Sequence, residues 1–197
     1  YVPMEGWGII SLPSNPDMPY SIGTFGCGPC IGIVLKHPDY IACAHVSNPS
    51  AAIKIREMLY TMQRLTSNNY YFKTTSLYLI GGEHNKKTKD IVLEILHEEQ
   101  FSCLNIVMAK DSACCFPHVS NILADFETLA VHEYLLSGQE KFDDIDAFSI
   151  LFKNMHPDAP LTCAYSPEYP SNKYIVSDNS DSKVGPVHSS DFLEAKH

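Results

Sequence analysis

The chain has 197 residues, 14 Lys and Arg against 23 Asp and Glu, and a formal net charge of −9 with histidines neutral. Apolar residues make up 45% and charged residues 19%, the balance of a globular domain with a real core and not of a disordered chain. A net negative surface repels phosphate backbones and anionic lipid, which speaks against nucleic-acid and membrane partners.

No apolar run approaches the ~20 residues that span a bilayer. The amino end, Tyr1-Val2-Pro3-Met4-Glu5-Gly6, lacks the basic and apolar regions of a signal peptide, and its Tyr start is that expected of a processed or trimmed product. The seven cysteines, Cys27, Cys30, Cys43, Cys103, Cys114, Cys115 and Cys163, are odd in number and scattered through apolar segments. They read as reduced thiols rather than a disulfide framework, which implies a reducing cytoplasmic compartment.

In chain order, Trp7–Leu12 is a short strand candidate in a proline-rich start. Cys30–Leu35 is a β-branched apolar run of the kind that forms a buried strand. Lys36-His37-Pro38-Asp39 is turn chemistry, and Tyr40–Val46 reads as the return strand of a hairpin. Ser47-Asn48-Pro49 signals a helix start, and Ile55, Met58, Leu59, Met62 and Leu65 at helical spacing predict an amphipathic helix over residues 50–66. Tyr70–Ile80 predicts a strand ending at Gly81-Gly82, and Ile91, Val92, Ile95 and Leu96 predict a helix over 88–98. Leu104–Ala109 and Phe126–Tyr134 are further strand candidates. Strands and two helices without regular βαβ alternation imply an α+β layered fold. Residues 1–155 read as a single domain, and 156–197, rich in Pro, Ser and Asp, as an arm or tail that buries little on its own.

The densest chemical signal is Thr24-Phe25-Gly26-Cys27-Gly28-Pro29-Cys30, followed by the strand and then Ala42-Cys43-Ala44-His45. Cys27-Gly28-Pro29-Cys30 matches the dithiol motif of thioredoxins, where the motif opens a helix that lowers one thiol's pKa. Here a strand follows, so a dithiol oxidoreductase is the alternative and not the first reading; a Cys27–Cys30 disulfide stays chemically open as redox regulation. Nucleophilic catalysis is the stronger reading. A thiol needs a base, and the base needs a third group to fix its tautomer. The hairpin returns His45 towards Cys30, Thr24 can supply the orienting hydroxyl, and Gly26 and Gly28 let the backbone turn so that Sγ and the Cys30 N–H face a substrate carbonyl. A thiol so activated is expected to alkylate below the ordinary thiol range.

The pattern Thr-x-Gly-x-Gly-x-Cys, apolar strand, turn and Ala-His resembles the CheD-type chemoreceptor glutamine deamidases, and Leu79-Ile80-Gly81-Gly82, a helix and a strand ending near Asp111 are similar to the next part of such a domain. The catalytic domains of cytotoxic necrotizing factor toxins share that fold. The resemblance covers about residues 20–130. It implies a sandwich of mixed β-sheets flanked by helices, with Cys30 as nucleophile, His45 as base and Thr24 as orienting residue. Gly26, Gly28 and Pro29 would form the supporting turn and oxyanion region; Pro29 stands where the family commonly has Ser, and Cys27 where it has an apolar residue. The implied activity is hydrolysis of a protein glutamine amide to glutamate through a thioester, without metal or organic cofactor. The implied partner is a signalling or chemoreceptor-like protein, in the bacterial cytosol or, for a secreted effector, in a host cytosol. A non-catalytic protein-interaction module on the same fold is the rival class.

Elsewhere, Cys114-Cys115-Phe116-Pro117-His118 lacks a second ligand pair and reads as structural rather than metal-binding. His84 reads as a solvated loop residue near the pocket, Lys86-Lys87-Thr88-Lys89 as a solvated helix start, and Asp143-Asp144 with Asp146 as another helix start. The aromatic stretch Tyr165–Tyr174 is left without an assigned role.

Overall fold

The computed structural model describes residues 2–12, 21–67, 73–82, 84–110, 112, 118–135 and 173–176. Among the described residues, nine strands form two sheets. They are β1 (Trp7–Ser11), β2 (Ile22–Cys27), β3 (Ile31–His37), β4 (Tyr40–Val46), β5 (Thr75–Gly81), β6 (Ile106–Met108), β7 (His118–Ala124), β8 (Leu129–Leu135) and β9 (Lys173–Val176). The larger sheet has the order β6-β5-β3-β4-β1-β9 and the smaller the order β2-β7-β8. The larger sheet is mixed: β1–β9 and β5–β6 are parallel and its other pairs antiparallel. Helices α1 (Pro49–Ile53), α2 (Ile55–Thr66) and α3 (Lys86–Leu96) flank it. The chain is therefore an α+β sandwich of two sheets with helices, as the composition of elements predicts.

Strand alternation divides the core into two layers. Ile31, Ile33 and Leu35 of β3, with Ala44, Leu77 and Leu79, pack against Met58, Leu59, Val92 and Ile95 of the helices. The opposite face carries Val34, Ile41, Cys43 and Ile80 against Ile22, Cys27 and Ile122 of the small sheet. β3 is thus covered on both sides, which is why its sequence is a continuous apolar run. His45 shares parity with Ile41 and Cys43, so it points from β4 towards the small sheet.

The hairpin has the expected form, with Pro38 and Asp39 as the turn and β4 spanning Tyr40–Val46. The Asn48 side chain accepts from the Ala51 N–H and caps α1, with Pro49 in the first turn. The single helix expected over 50–66 is broken at Lys54, whose N–H bonds to Ala51 O at 3.1 Å and closes a tighter turn. The strand expected over 104–109 is shortened to β6, because Glu99–Leu104 forms a 3-10 turn. β2 and β7 are strands that the hydrophobic pattern does not announce. The candidate strand 126–134 is shortened at its start, where the Asp125 carboxylate accepts from the Glu127 and Thr128 N–H groups and makes a turn. Within the segment read as an arm, β9 adds a parallel edge to β1. Cys114–Pro117, Asp143–Asp146 and residues 165–172 lie outside the described residues.

Candidate active site

The site begins with the pairing of β3 and β4. Gly32 faces His45 in register, and Cys30 precedes β3 by one residue, two positions from Gly32. Because Gly32 has no side chain, the small sheet can approach there: a Cβ would come 2.8 Å from Cys27 Sγ and collide with Ile122. That approach brings Thr24 of β2 to His45, with Thr24 Oγ1 2.8 Å from His45 Nδ1. Both residues are buried.

The hydrogen-bond inventory fixes the tautomer. The single hydroxyl proton of Thr24 is donated to the Val2 carbonyl at 2.8 Å. Thr24 Oγ1 can then only accept from His45, so Nδ1 carries the ring proton and Nε2 is left with its basic lone pair. Nε2 is buried and has no hydrogen-bond partner among the described residues. Burial lowers the His45 pKa to about 4, partly opposed by the Glu5 carboxylate, so the ring is neutral at pH 7.

Cys30 is a free, half-exposed thiol, and its Sγ is not hydrogen-bonded to Nε2. Burial raises its pKa, and the Glu5 carboxylate raises it further. The expectation of a thiol that ionises below the ordinary range is corrected here: partial desolvation and a nearby anion both hold the proton on Sγ. The resting pair is a neutral thiol and a neutral imidazole. Glu5 biases both groups, which places Cys30 and His45 in one electrostatic environment.

The turn before Cys30 is braced from several directions. β2 carries a bulge between Thr24 and Cys27, where Gly26 takes φ +75° and donates its N–H to Asn121 Oδ1 at 3.1 Å. Gly28 donates to Gly26 O at 3.0 Å and accepts from the Gly82 N–H at 2.7 Å. Pro29 is exposed at the tip, and its carbonyl accepts from Asn85 Nδ2 at 3.2 Å. Gly81, at φ +81°, lies against the turn: a Cβ there would meet Cys30 O at 2.5 Å and Cys27 O at 2.9 Å. Cys27 is a wholly buried free thiol, pushed well up by burial and then by the neighbouring Cys43 and Cys30.

Val2, Glu5, Asn85 and Asn121 join the site beyond the residues that the sequence pattern singles out. The segment before β1 is stitched to it by Val2 N–H to Gly23 O (2.8 Å), Glu5 N–H to His45 O (2.9 Å) and His45 N–H to Gly6 O (3.0 Å). Glu5 sits at φ +60°, a strained backbone for a residue with a Cβ, and its carboxylate accepts from Ser47 Oγ (2.8 Å) and Asn48 Nδ2 (2.9 Å). Only Asn85, at the start of α3 just after the two glycines, carries a sequence clue. His84 is exposed and Lys86 and Lys87 are solvated, whereas Thr88 is buried. Among the described residues no three His, Cys, Asp or Glu side chains converge on a metal position. No helix of the described residues is long and apolar enough to cross a membrane. No model of a known protein family matches the chain, and no curated protein matches it.

Proposed function

We propose that the protein is a cysteine-dependent amidase that converts a glutamine side-chain amide of a protein substrate to glutamate. The observation that carries this reading is the Thr24–His45 pair at 2.8 Å, which leaves a bare, unprotonated Nε2 on the strand paired to the one that Cys30 opens. In the proposed sequence Nε2 takes the Sγ proton as sulfur attacks the amide carbon, and the carbonyl electrons move to oxygen beside the Cys30 N–H. Collapse of this adduct returns the proton to nitrogen and releases ammonia, leaving a thioester. Water, deprotonated by Nε2, then displaces the thiol to give the carboxylic acid and regenerate Cys30. A neutral His45 is the form this chemistry requires. The step from amide to acid turns a neutral side chain into an anion, and that charge is what would alter a signalling partner.

The dithiol alternative has less support. It needs the Cys27–Cys30 motif at a helix start with an accessible partner thiol, whereas β3 follows Cys30 and Cys27 is wholly buried.

The test uses an N-blocked Gln-Gly dipeptide and unfolded casein as probes, with ammonia release and intact mass as readouts. Deamidation adds about 1 Da per converted glutamine, and the gain should vanish in Cys30→Ala and His45→Gln. Activity that survives Cys30→Ala overturns the assignment. Absence of turnover on both probes favours the interaction module.

A further inference from the structure

Asn85 occupies the residue before α3, the position where an asparagine side chain ordinarily accepts from the first helical N–H groups, yet it makes no such bond. Its amide is turned the other way. Nδ2 donates one proton to Pro29 O at 3.2 Å and the other to Ser47 O at 3.0 Å. Both partners are carbonyls, so only the NH2 end can face them, and both of its protons are used. One side chain thereby ties the residue before Cys30 to the residue two beyond His45, across the pair of strands that carry the proposed nucleophile and base.

The Pro29 carbonyl and the Cys30 N–H belong to one planar peptide group and point in opposite directions. Fixing the oxygen fixes the N–H, and a bond to the oxygen also strengthens that N–H as a donor. The Gly82 N–H holds the preceding carbonyl, Gly28 O, at 2.7 Å, so two successive peptides of the turn are pinned by the segment leading into α3.

We propose that Asn85 is a positioning residue that aims the Cys30 N–H at the oxyanion of the amide adduct by orienting the Pro29–Cys30 peptide. This rests on the amidase reading. Asn85→Asp keeps the size but removes both donors; Asn85→Ala removes the group. Each should lower kcat on the Gln-Gly probe by about 10- to 100-fold with KM within about twofold, the range below outright loss of an oxyanion donor. A peptide aldehyde, whose adduct with Sγ carries the same oxyanion, should inhibit both variants less well than the wild type. Alkylation of Cys30 by iodoacetamide passes through no oxyanion and should proceed at an unchanged rate in Asn85→Ala, which adds no charge beside the thiol. In a spectrum of the substrate-free protein, the Cys30 amide nitrogen should shift when its peptide carbonyl loses a donor.

An unshifted Cys30 amide, an unchanged kcat, or alkylation of Asn85→Ala that falls in step with kcat would overturn the positioning role. Wild-type protein that neither turns over the probe nor binds the aldehyde defeats the amidase reading instead, and the amide shift still reports whether Asn85 holds the turn.

Discussion

The Thr24 hydroxyl stands between two partners, giving its proton to Val2 O and accepting the Nδ1 proton of His45, both at 2.8 Å. Replacing Thr24 by Val leaves a buried carbonyl and a buried ring N–H without partners, at a loss of about 1–3 kcal/mol of stability. Thr24→Ser keeps the oxygen and should lie within about 1 kcal/mol of the wild type. Nitrogen chemical shifts of the His45 ring give the sharper readout. They should report Nδ1–H in the wild type and in Thr24→Ser, and a mixture of tautomers in Thr24→Val with a matching fall in amidase rate.

The depressed pKa of His45 makes stability depend on pH with a definite sign. Above pH 6.5 the ring is neutral in both folded and unfolded chains and contributes no difference. Between 6.5 and about 4 only the unfolded chain takes up the proton, so stability falls as pH falls through that window. Below about 4 the folded ring protonates too and the loss levels off. The full difference is on the order of 3 kcal/mol for a group this buried. Denaturant unfolding at pH 7 and pH 4.5 should show a smaller decline in His45→Gln than in the wild type. His37, also lowered by burial, adds a decline of the same sign that both proteins share.

Glu5 sets part of the resistance of Cys30 to ionisation. In Glu5→Gln the pH midpoint of Cys30 alkylation should move down but stay raised, because burial is the larger cause and remains. Salt should narrow the gap between wild type and variant, since Glu5 is partly exposed. Identical midpoints at low salt would remove Glu5 from the account.

What the sequence reveals depends on whether a contact is local. The β3–β4 hairpin is legible because an apolar run, a Pro38-Asp39 turn and a second run stand side by side. β2 is not, because Gly23, Thr24 and Gly26 show no alternation and its partner strand lies far along the chain: Gly26 bonds to Asn121. The candidate triad is legible from residue types and spacing, and the Thr24–His45 half of it is made in the structure. Val2 contributes a main-chain carbonyl, which any residue has, and Glu5 contributes a charge whose neighbours arrive by folding. Neither leaves a mark in a pattern of residue types. The thiol's raised pKa is illegible for the same reason, since burial belongs to the fold and not to the motif.

Cys27 and Cys30 sit three residues apart on the same turn, each a free thiol. Peroxide can oxidise Cys30 to the sulfenic acid with release of water; the Cys27 sulfur then displaces a second water to form the disulfide. Because Cys27 is wholly buried, that second step needs the turn to open and should be slow. Amidase activity should fall on peroxide treatment and return with dithiothreitol in the wild type and in Cys43→Ser. In Cys27→Ser the rapid return should be lost as oxidation runs on to the sulfinic acid. Equal recovery in Cys27→Ser would exclude Cys27 as the partner.

Gly81 and Gly26 separate backbone strain from crowding at the same turn. Both have positive φ, +81° and +75°. A Cβ at Gly26 meets nothing within 4 Å, so Gly26→Ala should carry only the conformational penalty, about 1–2 kcal/mol. A Cβ at Gly81 presses on Cys30 O at 2.5 Å and Cys27 O at 2.9 Å, both main-chain atoms that cannot swing aside. Gly81→Ala should therefore destabilise more than Gly26→Ala and also displace the peptides that carry Cys30. Denaturant unfolding ranks the two losses, and the Cys30 alkylation rate, changed in Gly81→Ala but near wild type in Gly26→Ala, shows whether the turn has moved. Equal losses in the two variants would mean that the Cys30 turn shifts freely, and a turn that shifts freely cannot hold an N–H on an oxyanion.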